Sequence, residues 1–163
     1  PGTLGATSWS PAAFNPSLNA VYIAGIYQPS SSISRTLTPA PGKPWQSYTF
    51  FRRTGEDDWG VFTAMSTVTG KLLWQKKIDD PMVGGALATA GNLVFTGEGN
   101  GYFNAFAADS GEILWRYKAE HGVNAPPITY QVNGRQYIAV AAGGNSIFNY
   151  PVGDEILVFT RGE

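Results

Sequence analysis

Few side chains in this sequence have both the type and the placement for chemistry. His121 is the single histidine, set in Glu120-His121-Gly122, and imidazole titrates in the range a general base needs. A solvated loop histidine is the plainer reading of that triplet. Asp79-Asp80 resembles a carboxylate pair but stands directly before Pro81, where turn chemistry explains it. Thr54-Gly55-Glu56-Asp57-Asp58 is an acidic stretch able to attract a cation, with simple solvation as the default. Cysteine is absent, which excludes a disulfide or a thiolate metal site and says nothing about redox compartment.

Whatever positions these groups is turn-rich β structure. Charged residues make up 14% of the 163 positions, well below the roughly 25% of ordinary domains, while Gly 20 and Pro 11 are high. The length suits one domain with a sizeable core. The net charge is −1 with scattered Lys and Arg, so neither a nucleic acid nor an anionic membrane is an expected partner. No apolar run approaches the ~20 residues of a membrane span. The chain opens on Pro1-Gly2 with no charged segment leading into an apolar one, so no leader is visible, and either processing or a longer parent is expected.

An internal repeat carries the fold. Gly60-Val61-Phe62-Thr63-Ala64-Met65 matches Gly101-Tyr102-Phe103-Asn104-Ala105-Phe106, and Thr69-Gly70-Lys71-Leu72-Leu73-Trp74 matches Ser110-Gly111-Glu112-Ile113-Leu114-Trp115. The two tryptophans stand 41 residues apart. A period in the low forties holds four short strands, the repeat of a β-propeller blade. Upstream of each unit lies an apolar hairpin, turned at Pro16-Ser17-Leu18-Asn19, Gly91-Asn92 and Asn133-Gly134. The spacing predicts an all-β propeller fragment of about two complete four-stranded W-type blades and most of a third. Blade one spans 9–77 with an insertion at 28–53, blade two 83–118, and the partial third blade 125–160.

Within blade one the expected strands lie near Ala12-Asn15, Ala20-Gly25, Val61-Ser66 and Leu72-Lys76. Blade two repeats them near Ala86-Thr89, Leu93-Thr96, Tyr102-Ala107 and Ile113-Tyr117. Blade three offers Ile128-Gln131, Gln136-Ala141 and Glu155-Phe159, one strand short. Closed propellers leave no sheet edge open, so the completing strand and the remaining blades are expected outside this chain.

The segments Ala64-Met65-Ser66-Thr67-Val68-Thr69-Gly70-Lys71-Leu72-Leu73-Trp74 and Ala105-Phe106-Ala107-Ala108-Asp109-Ser110-Gly111-Glu112-Ile113-Leu114-Trp115 resemble the tryptophan-docking motif of pyrroloquinoline quinone (PQQ) dependent alcohol dehydrogenases. Pro1-Gly2, Trp9-Ser10-Pro11-Ala12-Ala13-Phe14-Asn15-Pro16, Gly84-Gly85-Ala86-Leu87-Ala88-Thr89-Ala90-Gly91 and Ala125-Pro126-Pro127-Ile128-Thr129-Tyr130 resemble, in order, the C-terminal third of that family. The resemblance implies an eight-bladed propeller with PQQ near its axis and a bound calcium or lanthanide ion. It implies periplasmic oxidation of alcohols to aldehydes, with electrons leaving to a cytochrome c. The aspartate base and the metal ligands of the family belong to segments N-terminal to this one. A non-catalytic binding propeller, of the outer-membrane assembly lipoprotein kind, uses similar tryptophan repeats and is the alternative.

Topology places the functional face where the innermost strands start. Ser8-Trp9, Val83-Gly84 and Asn124-Ala125 each precede such a strand and converge near the axis. The resemblance puts cofactor contacts at the first two, making Ser8, Trp9, Val83 and Gly84 the candidate cofactor-binding residues. Ser8 stands where the family usually has Asn, and Val83 where many members have Trp. Trp74 and Trp115 are expected to pack between blades, each indole N–H finding an acceptor. In the insertion, Pro44-Trp45 with Tyr48, Phe50 and Phe51 is expected to supply an apolar wall or a subunit contact.

Overall fold

A computed structural model of the chain describes residues 2, 4–7, 9–34, 38, 40–42 and 49–162, with the backbone alone at 34 and 49–53. Among the described residues there are thirteen strands and no helix. Blade one is the antiparallel sheet β1 (Ala13–Asn15), β2 (Ala20–Tyr27), β5 (Trp59–Ser66) and β6 (Leu72–Ile78), in that spatial order. Blade two is β7 (Ala86–Ala88), β8 (Leu93–Gly97), β9 (Tyr102–Ala107) and β10 (Ile113–Lys118), in the same order. The third sheet holds β11 (Ile128–Val132), β12 (Arg135–Ala142) and β13 (Glu155–Thr160). The chain is thus a β-propeller fragment.

Turn chemistry sets the register. Asn19, Asn92 and Asn133 all take positive φ, the conformation asparagine tolerates best after glycine, and Gly134 follows with φ 78°. The Asn15 side chain accepts hydrogen bonds from the Ser17 and Leu18 amides at 3.0 and 3.2 Å, which shapes the longer first turn. The outer hairpins repeat each other closely. Gly70 and Gly111 sit at φ 67° and 69°, and their amides donate to the Ser66 and Ala107 carbonyls, each at 2.9 Å.

The core lies between blades. Strands β8 and β9 have a neighbour sheet on each face, so their side chains are buried on both sides instead of alternating with water. Val94 and Phe106 face blade one, where they join Tyr22, Phe62, Ala64 and Trp74. Phe95, Phe103 and Ala105 face the third sheet and pack on Ile138, Val140 and Ala142.

Trp74 is the hinge pin of the first interface. Its Nε1–H donates to the Ala108 carbonyl of blade two at 2.9 Å, and the Tyr22 hydroxyl donates to the same oxygen at 2.9 Å. Its ring stacks on Phe106 and lies against Gly111, where a Cβ would come within 2.6 Å of it. Trp115 departs from the expectation. It packs on Phe159 and Phe103 but remains 40% exposed, and its indole finds no acceptor among the described residues. The reason is topological, because the third sheet ends at β13 and offers no outer hairpin equivalent to the one that receives Trp74.

The insertion also departs from an irregular loop. Its ends form a two-stranded hairpin, β3 (Ser30–Ser34) with β4 (Thr49–Arg53), pairing Ser30 with Arg53 and Ser34 with Thr49. Pro44, Trp45 and Tyr48 lie outside the described residues, and Phe50 and Phe51 are described only as backbone of β4.

Candidate functional site

The starts of the innermost strands do converge. Trp9, Val83, Asn124 and Ala125 line one cavity of about 400 Å³, within the usual range for small-molecule sites. Ile26 from the end of β2 and Leu4 complete the near side. The far wall is the loop between β12 and β13, which contributes Gly143, Gly144, Asn145, Ile147 and Phe148. No described residue of the insertion lines it.

Each predicted site residue has a definite place or none. Ser8 lies outside the described residues. Trp9 is 83% exposed at the cavity rim, a large apolar surface open to whatever enters. Val83 is buried, packed with Ile26 and Tyr150 beneath the cavity, and its carbonyl accepts a short hydrogen bond from the Ser10 hydroxyl. That bond ties the entry to blade one directly to the crossover into blade two. Gly84 lies against the Asn124 backbone, where a Cβ would sit at an ordinary 3.5 Å. The glycine that sterics demand is its neighbour Gly85, wedged between Pro11 and Pro126 with 2.7–2.8 Å available to a Cβ.

Two features of the site were missed: the side chain of Asn124, which the sequence placed only as a strand start, and the loop between β12 and β13. Asn124 lines the cavity, but its Nδ2 is buried beside Gly122 and has no hydrogen-bond partner. A buried amide donor left unpaired costs about 1–3 kcal/mol, so this one has an unmet demand for an acceptor. The β12–β13 loop was the second omission. Its Gly143-Gly144-Asn145 segment has no strand or repeat signature, and only the sheet topology brings it over the cavity.

The other candidate groups lie elsewhere. His121 is not a solvated loop histidine: its Nδ1 is 2.8 Å from Glu155 Oε2, and Gly153 packs on its ring. Asp79 and Asp80 lie in the crossover after β6, and neither lines the cavity. Burial, reinforced by the Asp79 charge and opposed by Lys118, holds the Asp80 carboxyl above the usual range. In the acidic stretch Glu56 accepts from the Tyr27 hydroxyl at 3.2 Å, and Asp58 accepts from the Gln28 amide at 2.8 Å. The hydrogen bond to Glu56 raises the Tyr27 hydroxyl above its ordinary value. Among the described residues no three His, Asp or Glu side chains come together as metal ligands. The one buried charge among them is Glu98, which accepts from Asn104 at 2.6 Å and Asn100 at 3.2 Å and so is accounted for structurally. Among the described residues no helix is long and apolar enough to cross a membrane.

Comparison with known proteins bears on the family and the fold. The family model for PQQ, described as glucose/ethanol/alcohol dehydrogenase, beta-propeller domain, matches residues 33–138. A quinoprotein ethanol dehydrogenase of Pseudomonas aeruginosa is 37% identical over 144 residues, covering 88% of this chain and 23% of that protein. The quinoprotein alcohol dehydrogenase PedE of Pseudomonas putida is 38% identical over the same length and shares. Among solved structures, the quinohemoprotein alcohol dehydrogenase of Comamonas testosteroni superposes with a TM-score of 0.82 at 33% identity, over 98% of this chain and 26% of that one. A europium-containing methanol dehydrogenase superposes at 0.78 with 28% identity, over 88% and 26%. The chain therefore spans about a quarter of the length of these relatives. Repeat, blade order and the identities all converge, and the chain belongs to the family of PQQ-dependent alcohol dehydrogenases with a β-propeller fold.

Proposed function

We propose that the full-length protein oxidises small alcohols to aldehydes with PQQ and passes the electrons to a cytochrome c in the periplasm. The observation that carries this reading is the cavity at the convergent strand starts, in a chain of this family. Its residues suit a flat cofactor: Trp9 offers an exposed aromatic surface and Val83 an apolar floor. PQQ, when bound, supplies a quinone able to accept two electrons from the alcohol. This chain's part is to bind and orient: Trp9 and Val83 line one wall that holds the cofactor edge and excludes water, and Gly84 packs behind it on the Asn124 backbone. The calcium or lanthanide ion, its ligands and the aspartate base belong to other blades of the same protein.

The test is dye reduction by the full-length protein with PQQ and either calcium or a lanthanide supplied. Oxidation of primary alcohols supports the reading, and inactivity with every alcohol under both metals overturns it. Trp9→Ala should weaken PQQ retention about tenfold, the scale of one good contact, as read by equilibrium dialysis.

A further inference from the structure

The wall of the cavity is a twelve-residue connection, 143–154, and such a loop with an exposed tip opens easily unless something fastens its base. Here the fastening is visible. Gly144 N–H donates to the Gly122 carbonyl at 2.9 Å, and Gly122 N–H donates to the Pro151 carbonyl at 2.9 Å. Gly153 N–H closes the base on the Gly143 carbonyl at 3.2 Å. All of these bonds lie beside His121, whose imidazole covers Gly153 so closely that a Cβ there would fall 2.1 Å from Cγ. The ring then reaches Glu155, the first residue of β13, with Nδ1 at 2.8 Å from Oε2.

His121 does not line the cavity. What it does touch is the stem of the loop that supplies five lining residues. Taking the functional reading above as its basis, we propose that His121 is a positioning residue. Paired with Glu155 and stacked on Gly153, it clamps the 143–154 loop so that Asn145, Ile147 and Phe148 present a fixed wall to the alcohol. A loosened loop must be ordered again each time substrate binds, and that cost appears in KM, while the chemical step, carried by groups in other blades, is largely spared.

The experiment compares the full-length wild type with His121→Ala, His121→Asn and Glu155→Ala. It uses ethanol kinetics by dye reduction and hydrogen exchange of residues 143–150 in the substrate-free protein. His121→Ala should raise KM about tenfold, the scale of one hydrogen bond to a charged group, with kcat within about twofold, and should speed exchange in the loop. Asn keeps a donor near the Nδ1 position and should restore most of both. Glu155→Ala should reproduce the histidine variant from the other side, and combining the two should add little. A large fall in kcat at constant KM would make His121 a catalytic base and overturn the clamp, as would unchanged exchange in both single variants. Should the wild type oxidise no alcohol, the functional reading falls by itself, and the exchange rates still decide the clamp.

Discussion

A single carbonyl, that of Ala108, shows how much one residue can carry in this chain. It accepts both the Trp74 indole and the Tyr22 hydroxyl, two polar tips of the aromatic cluster between blades. Burial raises the Tyr22 hydroxyl above its ordinary value, so it stays a neutral donor at physiological pH. Trp74→Phe in the full-length protein keeps most of the packing but loses one of these bonds and some volume, and should cost about 2 kcal/mol in denaturant unfolding. Asp80 gives a pH-dependent counterpart. Its carboxyl is raised in the folded state, so the fold binds that proton more tightly than the unfolded chain does. Stability from this group therefore falls as pH rises from the ordinary carboxylate value through the raised one, and the loss persists above it. Asp80→Asn should raise Tm at pH 7, and the gain should shrink toward nothing at a pH below both values.

Elements are held by what their turns permit. The outer hairpin of blade two places Gly111 at φ 69° with the Trp74 ring directly over it. Gly111→Ala meets both a disfavoured backbone region and an aromatic ring, and should destabilise the full-length protein by about 2–4 kcal/mol. On the inner side, Tyr150 ties the β12–β13 loop to a different blade. Its hydroxyl donates to the Pro81 carbonyl at 2.7 Å, and Gly99 packs flat on its ring. Tyr150→Phe leaves that buried carbonyl short of a donor and should cost about 1–2 kcal/mol, with faster hydrogen exchange around residues 143–150 as its signature. Most of these elements were legible beforehand, because the 41-residue repeat and the asparagine turns specify strands almost to the residue. The hairpin of β3 and β4 was not, since Ser30–Ser34 has neither the alternation nor the apolar content that marks a strand.

At the scale of the molecule the issue is closure. Gly70 occupies the same turn as Gly111 with almost the same φ, yet nothing lies within 4 Å of a Cβ placed there. If a preceding blade sets its tryptophan on Gly70 as Trp74 sits on Gly111, then Gly70→Ala in the full-length protein should cost as much as Gly111→Ala. A cost of only about 1 kcal/mol, the backbone penalty alone, would mean that no tryptophan docks on that side. The free edge of β13 and the exposed Ile156 and Val158 make the same demand at the other end.

Sequence alone determined the fold class, the family and the convergence of the strand starts around Trp9, Val83 and Asn124, because each is written in short-range spacing: a period, a turn residue, an ordered motif. Only the tertiary structure decided what faces what. It made His121 a partner of Glu155 and brought Gly143–Phe148 over the cavity. Contacts between residues far apart in the chain depend on how one sheet packs against the next, and no local pattern in the chain encodes that packing.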